Sequence, residues 1–246
     1  MSANLYLTIP ALEKMAGVLH GFTTRKNGLG ARNSGLRSAG DWDLVAAAFG
    51  IQTDRLVTVN QVHGDKIVFV DERNYSSLGP VQADALITNK PALAIGVETA
   101  DCVPVMLFDP ATPAVAAVHA GWRSTVKKIV QKAVVRMRYE FGSDPAKMIA
   151  GIGPAIGAEC YEVDEPVMEQ VREAFPFWME VVAPRGNYRW GLDLVKLNRI
   201  ELAQAGLAGS NIHSLGMCTS CRRDLFYSFR AEGRTGRMLS AIMIKP

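Results

Sequence analysis

The stretch that most constrains the fold is residues 98–123, ETADCVPVMLFDPATPAVAAVHAGWR. It predicts two apolar strands joined by a turn that contains Pro110 and Pro113, because proline cannot continue a strand ladder. Cys102 stands immediately before the first strand, and His119 stands at the end of the second. If the two strands pair as a hairpin, the thiol and the imidazole lie at the same end and can meet.

A thiol beside an imidazole supports either metal binding or cysteine-based catalysis. His63 lies in a polar, glycine-flanked break between two β-rich runs, and it adds a third donor to the pair. Zinc in catalytic sites commonly has three protein ligands and one open position. The three residues are 39 and 17 positions apart, so their spacing forms no compact metal-binding motif. A metal would hold the Cys102 thiolate and remove it as a nucleophile, so the two interpretations exclude each other.

The remaining cysteines give a weaker pattern. Cys218 and Cys221 form C-x-x-C, but the second such pair of a zinc ribbon is missing from the sequence. The surrounding residues also lack the strand–helix pattern of a thioredoxin-like redox motif. For this pair we therefore favour an ordinary structural role over metal or redox chemistry. We interpret Cys160, in a Gly/Pro-rich loop, as a small buried apolar side chain.

Composition excludes several classes of function. The 246 residues are 48% hydrophobic and 21% charged, which is typical of a soluble globular protein with a sizeable core. A net charge of +3 gives no reason to expect nucleic-acid or membrane-surface binding. No apolar run approaches the roughly 20 residues of a membrane span, and the N-terminus does not have the pattern of a secretory signal. Four cysteines form no disulfide scaffold, so we predict a reducing, cytoplasmic location.

Strand and helix patterns intermix along the chain without regular β-α-β alternation. Helical spacing predicts a helix over residues 124–142, with Ser124 as its N-cap and Gly142 ending it. Two more helices are predicted from Asp164 onwards and over residues 192–207. These patterns favour an α+β fold with mixed β-sheets, and we predict one domain over residues 1–246.

The sequence also resembles a known family. The segments NQVHGD, ADALIT, TADCVPV, AAVHAGWR, GPAIGAECYEV and FYSFR with TGR occur in the same order in the bacterial YfiH-like proteins. Members of this family are described as laccase-domain or multicopper polyphenol oxidase proteins, peptidoglycan editing factors and purine nucleoside phosphorylases. The resemblance begins near residue 18 and implies mixed sheets packed together with flanking helices outside, in a single domain.

The resemblance implies a zinc site with His63, Cys102 and His119 as ligands. It also implies small-molecule partners, a purine nucleoside and phosphate. Members of the family phosphorolyse adenosine, inosine and methylthioadenosine to the base and ribose 1-phosphate, and they deaminate adenosine to inosine. The oxidase name makes copper the alternative metal. Only four histidines occur here, however, which is too few for the several coppers of a laccase.

Within this hypothesis, Cys102, His119 and Asp101 are the candidate catalytic residues. Asp101 is a candidate for moving a proton, as is Glu98, although Asp101 serves equally well as a brace for the strand end. Arg25, Arg123 and Arg230 are candidate phosphate clamps, because a guanidinium matches phosphate bidentately.

The sequence also departs from the family pattern. The early segment, residues 23–45, is shortened and altered. HAGWRG reads HAGWRS here, and Ala231 replaces the second arginine of S-Y-R-R.

Two rival hypotheses remain open from the sequence. A cysteine hydrolase, with Cys102 as nucleophile and His119 as base, would act on a peptidoglycan precursor. A catalytically idle metal-binding protein would bind zinc without turnover. A homodimer is compatible with all of these hypotheses.

Overall fold

The structure is a computed structural model and describes residues 6–25 and 39–246. The strands are β1 (Tyr6–Leu7), β2 (Val18–Thr23), β3 (Leu56–Val57), β4 (Ile67–Phe69), β5 (Ala85–Thr88), β6 (Ala94–Thr99), β7 (Val103–Asp109), β8 (Ala114–Ala120), β9 (Ile149–Ile152), β10 (Glu162–Asp164), β11 (Val182–Gly186), β12 (Arg189–Leu192), β13 (Ile212–Ser214) and β14 (Met238–Ile244). The helices are α1 (Pro10–Glu13), α2 (Ala39–Phe49), α3 (Trp122–Val126), α4 (Ile129–Phe141), α5 (Glu165–Ala174), α6 (Leu194–Gln204) and α7 (Phe229–Glu232).

Two mixed sheets form the centre of the molecule. One has five strands in the order β1-β2-β14-β6-β3, and the other has six in the order β13-β9-β7-β8-β5-β4. Strands β10, β12 and β11 form a separate three-stranded antiparallel sheet beside α5. The α+β fold with mixed sheets packed together and flanking helices is therefore confirmed.

Alternation along β7 shows why the layers stack in this order. Met106 and Phe108 pack into a core with residues of the five-stranded sheet, such as Ile95. Val105 and Leu107 point the other way and pack with the apolar faces of α4 and α6. Each fully buried side chain of this size contributes about 1.5–3 kcal/mol relative to exposure. Helix α2 covers the outer face of the five-stranded sheet, so helices lie on both outer faces of the sheet pair.

The predicted hairpin is confirmed. Strands β7 and β8 pair antiparallel, with Val103 opposite Ala120 and Pro104 opposite His119. This register puts Cys102, the residue before β7, at the same end of the hairpin as His119.

The predicted helix over residues 124–142 is wrong at its start and right at its end. Gly121 is the N-cap, and Ser124 is buried inside α3 instead of capping it. The helix then breaks, because Lys128 adopts a left-handed conformation with φ of 65° before α4 begins. The apolar spacing continues across this break, so the pattern alone did not reveal it. Gly142 ends α4 with φ of 71°, as expected for a glycine C-cap.

The other two predicted helices are confirmed, with Asp164 as the N-cap of α5 and α6 inside residues 192–207. None of the helices within residues 6–25 and 39–246 is both long and apolar enough to cross a bilayer. The domain limits 1–246 stay a prediction.

Candidate metal centre

Three residues from distant parts of the chain meet at one end of the β7–β8 hairpin. His63 comes from the loop between β3 and β4, Cys102 from the junction of β6 and β7, and His119 from β8. Their ligand atoms all lie within 4.8 Å of one another. The Cys102 Sγ and the His63 Nε2 are 3.8 Å apart, and the two imidazole rings have centroids 4.8 Å apart.

Asp84 holds two of these residues in place. It is fully buried, and its carboxylate accepts backbone N–H groups from His63 at 2.9 Å and from Gly64 at 2.6 Å. Its Oδ1 also lies 2.8 Å from the His119 Nδ1. An ionised carboxylate only accepts, so His119 donates from Nδ1 and turns Nε2 toward the cluster, where a metal would take the place of a proton. Asp84 was not singled out in the sequence, although it stands in ADALIT directly before a buried strand.

The charges around the thiol favour its ionised form. Burial would raise the pKa of Cys102, but the neighbouring His119 and His63 outweigh it and lower that pKa below its ordinary value. Burial would likewise lower the pKa of His119, but Cys102 and Asp84 outweigh it and raise that pKa. Since the thiolate is both the metal ligand and the nucleophile, the site is prepared for either chemistry.

Gly121, two residues after His119, lies too close to Cys102 and His63 for a side chain to fit without a shift. A Cβ at this position would lie 3.0 Å from the Cys102 Sγ and 3.0 Å from the His63 Cδ2. His63 itself has φ of 58°, in the left-handed region that few non-glycine residues adopt. The bonds from Asp84 to the 62–64 backbone hold this conformation.

Asp101 lies next to Cys102 in sequence, but its carboxylate is engaged elsewhere. It accepts from the Thr219 hydroxyl at 2.6 Å and from the Arg230 backbone N–H at 2.7 Å. Its φ of 91° is strained for a non-glycine residue. These contacts favour the bracing role over proton transfer, and the catalytic role stays a prediction. The main chain of Glu98, the other candidate, pairs with the Gln61 amide.

The three arginines have different surroundings. Arg25 pairs with Glu232 at 2.7 Å and donates to the backbone oxygens of Arg223 and Phe226. Arg123 is exposed and stacks on Trp122, with its guanidinium carbon 4.3 Å from the ring centroid.

Arg230 lies 5.2 Å from the ring centroid of Tyr161 and donates to the Glu162 carbonyl. Burial and the Cys102 charge raise the pKa of Tyr161, while Arg230 and Arg123 oppose this rise. Arg230 therefore lies beside Tyr161, a residue that the sequence did not single out. The substrate-binding role of all three arginines stays a prediction.

The donor set fits zinc. At bond lengths of about 2.0–2.1 Å to nitrogen and 2.3 Å to sulfur, tetrahedral zinc separates two nitrogens, or a nitrogen and a sulfur, by roughly 3.3–3.6 Å. The Cys102 Sγ and the His63 Nε2 are 3.8 Å apart, and all three ligand atoms lie within 4.8 Å of one another, so a small contraction would bring them around one ion. The Asp84 carboxylate beside His119 is also typical of zinc sites.

The histidines do not fit a multicopper centre. Of the four in the sequence, His20 is buried and accepts the Ile9 N–H on Nε2 at 2.7 Å, and His213 lies on β13. Only His63 and His119 enter the cluster, whereas several copper ions need more imidazoles.

A second group of thiols was missed in the sequence. Cys160 is only partly buried, and its Sγ lies 3.4 Å from the Cys221 Sγ. Together with Cys218 these atoms also lie within 4.8 Å of one another. The interpretation of Cys160 as a buried apolar side chain is therefore wrong, because a long-range contact brings it to the C-x-x-C pair.

Mixed sheets covered by helices, with a Cys-His-His cluster oriented by a buried aspartate, define an α+β protein with a potential metal site. The family model described as multi-copper polyphenol oxidoreductase laccase matches residues 19–245, and the chain belongs to this family.

Two curated relatives and one solved structure show what the chain is similar to. A Bacillus subtilis protein named purine nucleoside phosphorylase YlmD is 34% identical, over 93% of this chain and 89% of its own length. A protein named adenosine deaminase RL5, from an unknown prokaryotic organism, is 34% identical over 82% of this chain and 79% of its own length. The crystal structure of the Bacillus licheniformis hypothetical protein YfiH superimposes with a TM-score of 0.85 and 34% identity, covering 93% of both chains. The names of the two relatives support an enzyme.

Proposed function

We propose that this protein is a zinc-dependent purine nucleoside enzyme. It would phosphorolyse adenosine, inosine and methylthioadenosine to the base and ribose 1-phosphate, and deaminate adenosine to inosine. The observation that carries the proposal is the convergence of His63, Cys102 and His119, in a chain 34% identical to relatives named for these two activities.

In this proposal His63, Cys102 and His119 hold the zinc ion. The bound ion would supply Lewis acidity, which lowers the pKa of water and polarises an electron-rich substrate atom. The protein's own contribution is to hold the donors ready. Asp84 fixes the His119 tautomer and anchors the loop of His63, and the histidines keep Cys102 ionised before the metal arrives.

In this proposal phosphate and ribose lie near Tyr161, whose ring is 5.2 Å from the Arg230 guanidinium. Arg230 and Arg123 would hold the phosphate there, because a guanidinium matches phosphate bidentately. Arg25 would first have to leave its ion pair with Glu232, which makes it the weakest of the three clamps. Asp101 would act as a positioning residue, because its bonds to Thr219 and Arg230 hold the segment next to Cys102.

Turnover of inosine and of adenosine with inorganic phosphate tests the proposal. Cys102→Ala and His119→Ala are expected to lower both phosphorolysis and deamination by on the order of 100-fold or more, since they remove the metal. His213→Ala is the matched control, because this histidine lies on β13 outside the cluster, and it is expected to retain activity. Full phosphorolysis and full deamination by Cys102→Ala would sink the proposal.

A cysteine hydrolase acting on a peptidoglycan precursor is the second candidate. The observation that favours it is that Cys102 lies beside His119, which in turn bonds Asp84. These three residue types can serve as nucleophile, base and orienting acid. Alkylation by iodoacetamide separates the two functions. In the nucleoside enzyme, bound zinc protects the Cys102 thiolate from alkylation. In the cysteine hydrolase, the thiolate reacts rapidly, and metal chelation leaves the rate of alkylation unchanged.

A further inference from the structure

The second thiol cluster joins two loops that are distant in sequence. Cys160 ends the loop that follows β9, while Cys218 and Cys221 lie in the segment between β13 and α7. Backbone bonds align these segments, because Ala155 donates to the Met217 carbonyl and accepts from the Thr219 N–H. The three sulfur atoms come together where the segments meet.

The sulfur positions match those around one metal ion. With Zn–S bonds of about 2.3 Å, tetrahedral coordination separates two sulfurs by roughly 3.8 Å. Here the Cys160 and Cys221 sulfurs are 3.4 Å apart, and all three fall within 4.8 Å. A disulfide requires about 2.05 Å and uses only two sulfurs, so it leaves the third cysteine unexplained.

A backbone donor also contacts the Cys218 sulfur. The Gly157 N–H donates to the Cys218 Sγ at 3.2 Å. A Cβ at position 157 would lie 3.4 Å from the same sulfur, so the glycine permits the close approach of the two loops.

We propose that Cys160, Cys218 and Cys221 bind a second zinc ion, distinct from the His63, Cys102 and His119 site. Cys160 supplies one of the two thiolates that a second C-x-x-C pair would give in a zinc ribbon, so the site has three protein ligands. Three thiolates are soft donors that select zinc over calcium or magnesium. Because Cys221 is exposed, water can reach the cluster and complete the coordination of the ion.

The position of this ion gives it a structural role next to the first site. The two loops that it ties together hold Asp101 from both sides, through the Ile156 N–H to the Asp101 carbonyl at 2.9 Å and through the Thr219 hydroxyl. Tyr161 follows Cys160 directly in the chain. The second zinc ion therefore stabilises the wall beside Cys102 without contributing a ligand there.

Metal stoichiometry of reduced, metal-depleted protein titrated with Zn²⁺ tests this proposal. Wild type is expected to bind two equivalents, while Cys102→Ser and Cys160→Ser each bind one. The double variant binds none. With Cd²⁺ as the probe, Cys102→Ser retains the ultraviolet thiolate-to-metal absorption of a three-sulfur site, and Cys160→Ser loses most of it. Turnover plays no part in this count, so it stands or falls separately from the nucleoside chemistry.

Cys221→Ser provides the safer variant, because its side chain is exposed and its loss disturbs folding least. In the Cys102→Ser background, Zn²⁺ is expected to raise the melting temperature, and adding Cys221→Ser abolishes that rise. One equivalent in wild type, lost entirely in Cys102→Ser, would overturn the proposal. So would a fully reduced Cys102→Ser protein that binds neither Zn²⁺ nor Cd²⁺ at micromolar concentration.

Discussion

Replacement of Asp84 by asparagine tests whether this buried carboxylate organises the first metal site. The carboxylate accepts the backbone N–H groups of Val62, His63 and Gly64 and bonds the His119 Nδ1. Asparagine keeps one acceptor oxygen and turns an NH₂ group toward the remaining donors. Two charge-assisted hydrogen bonds are thereby lost.

The expected magnitude follows from these bonds. At about 1.5–3 kcal/mol for each hydrogen bond to a charged group, the loss amounts to about 3–6 kcal/mol before relaxation. Measured losses from breaking a buried charged pair are about 3–5 kcal/mol, so we expect unfolding to become easier by about 3 kcal/mol. Because His119 loses its fixed tautomer and the His63 loop loses its anchor, zinc affinity should fall about 10–100-fold.

Chelator competition in a Cys221→Ser background, which removes the second proposed zinc site, measures the zinc affinity of the first site, and urea denaturation measures stability. Asp109→Asn is the matched control, because Asp109 is also fully buried and accepts the Ala111 and Thr112 N–H groups far from the metal site. It should lose stability but keep its zinc affinity. An Asp84→Asn protein that binds zinc as tightly as wild type, or an equal loss in Asp109→Asn, would refute the reasoning.

Two further substitutions test other parts of the structure. Burial lowers the pKa of His20 from 6.5 to about 4, so the unfolded chain takes up a proton between these values while the folded protein does not. The contribution of His20 to the free energy of unfolding is therefore fully present above pH 6.5 and falls by about 3 kcal/mol as the pH drops to 4. His20→Gln can still accept the Ile9 N–H but does not titrate in this range. Urea denaturation should therefore show that its free energy of unfolding falls less than that of wild type between pH 6.5 and pH 4. A pH profile identical to that of wild type would contradict this. Gly121→Ala places a methyl group 3.0 Å from the Cys102 sulfur, so its zinc affinity should fall about 10-fold. Gly209→Ala is the control, because Gly209 has open space around it, and it should bind zinc as tightly as wild type. Equal zinc affinities in these two variants would show that the close approach at Gly121 is unimportant.

Local patterns in the sequence predicted that Cys102 and His119 lie together in the site. Cys102 and His119 belong to neighbouring strands, and the apolar runs and proline turn determine how those strands pair. The helix over residues 129–141 and its glycine end followed from the same kind of pattern.

Residues joined by long-range contacts could not be located in this way. His63 reaches the site because Asp84, 21 positions further along the chain, bonds its loop and His119 together. The donor types and the family resemblance suggested His63, but no spacing rule did. Cys160 was misinterpreted for the same reason, since it meets Cys221 across 61 positions. The break at Lys128 was hidden because apolar residues recur on both sides of it.

The central claim is that zinc at His63, Cys102 and His119 enables purine nucleoside turnover. The most direct measurement is phosphorolysis of inosine by metal-depleted protein as Zn²⁺ is added back. We predict that the depleted protein is nearly inactive, that activity returns as zinc is bound, and that Cys102→Ala does not respond. A metal-depleted wild type that turns over inosine at the full rate, before any zinc is added, would contradict the claim.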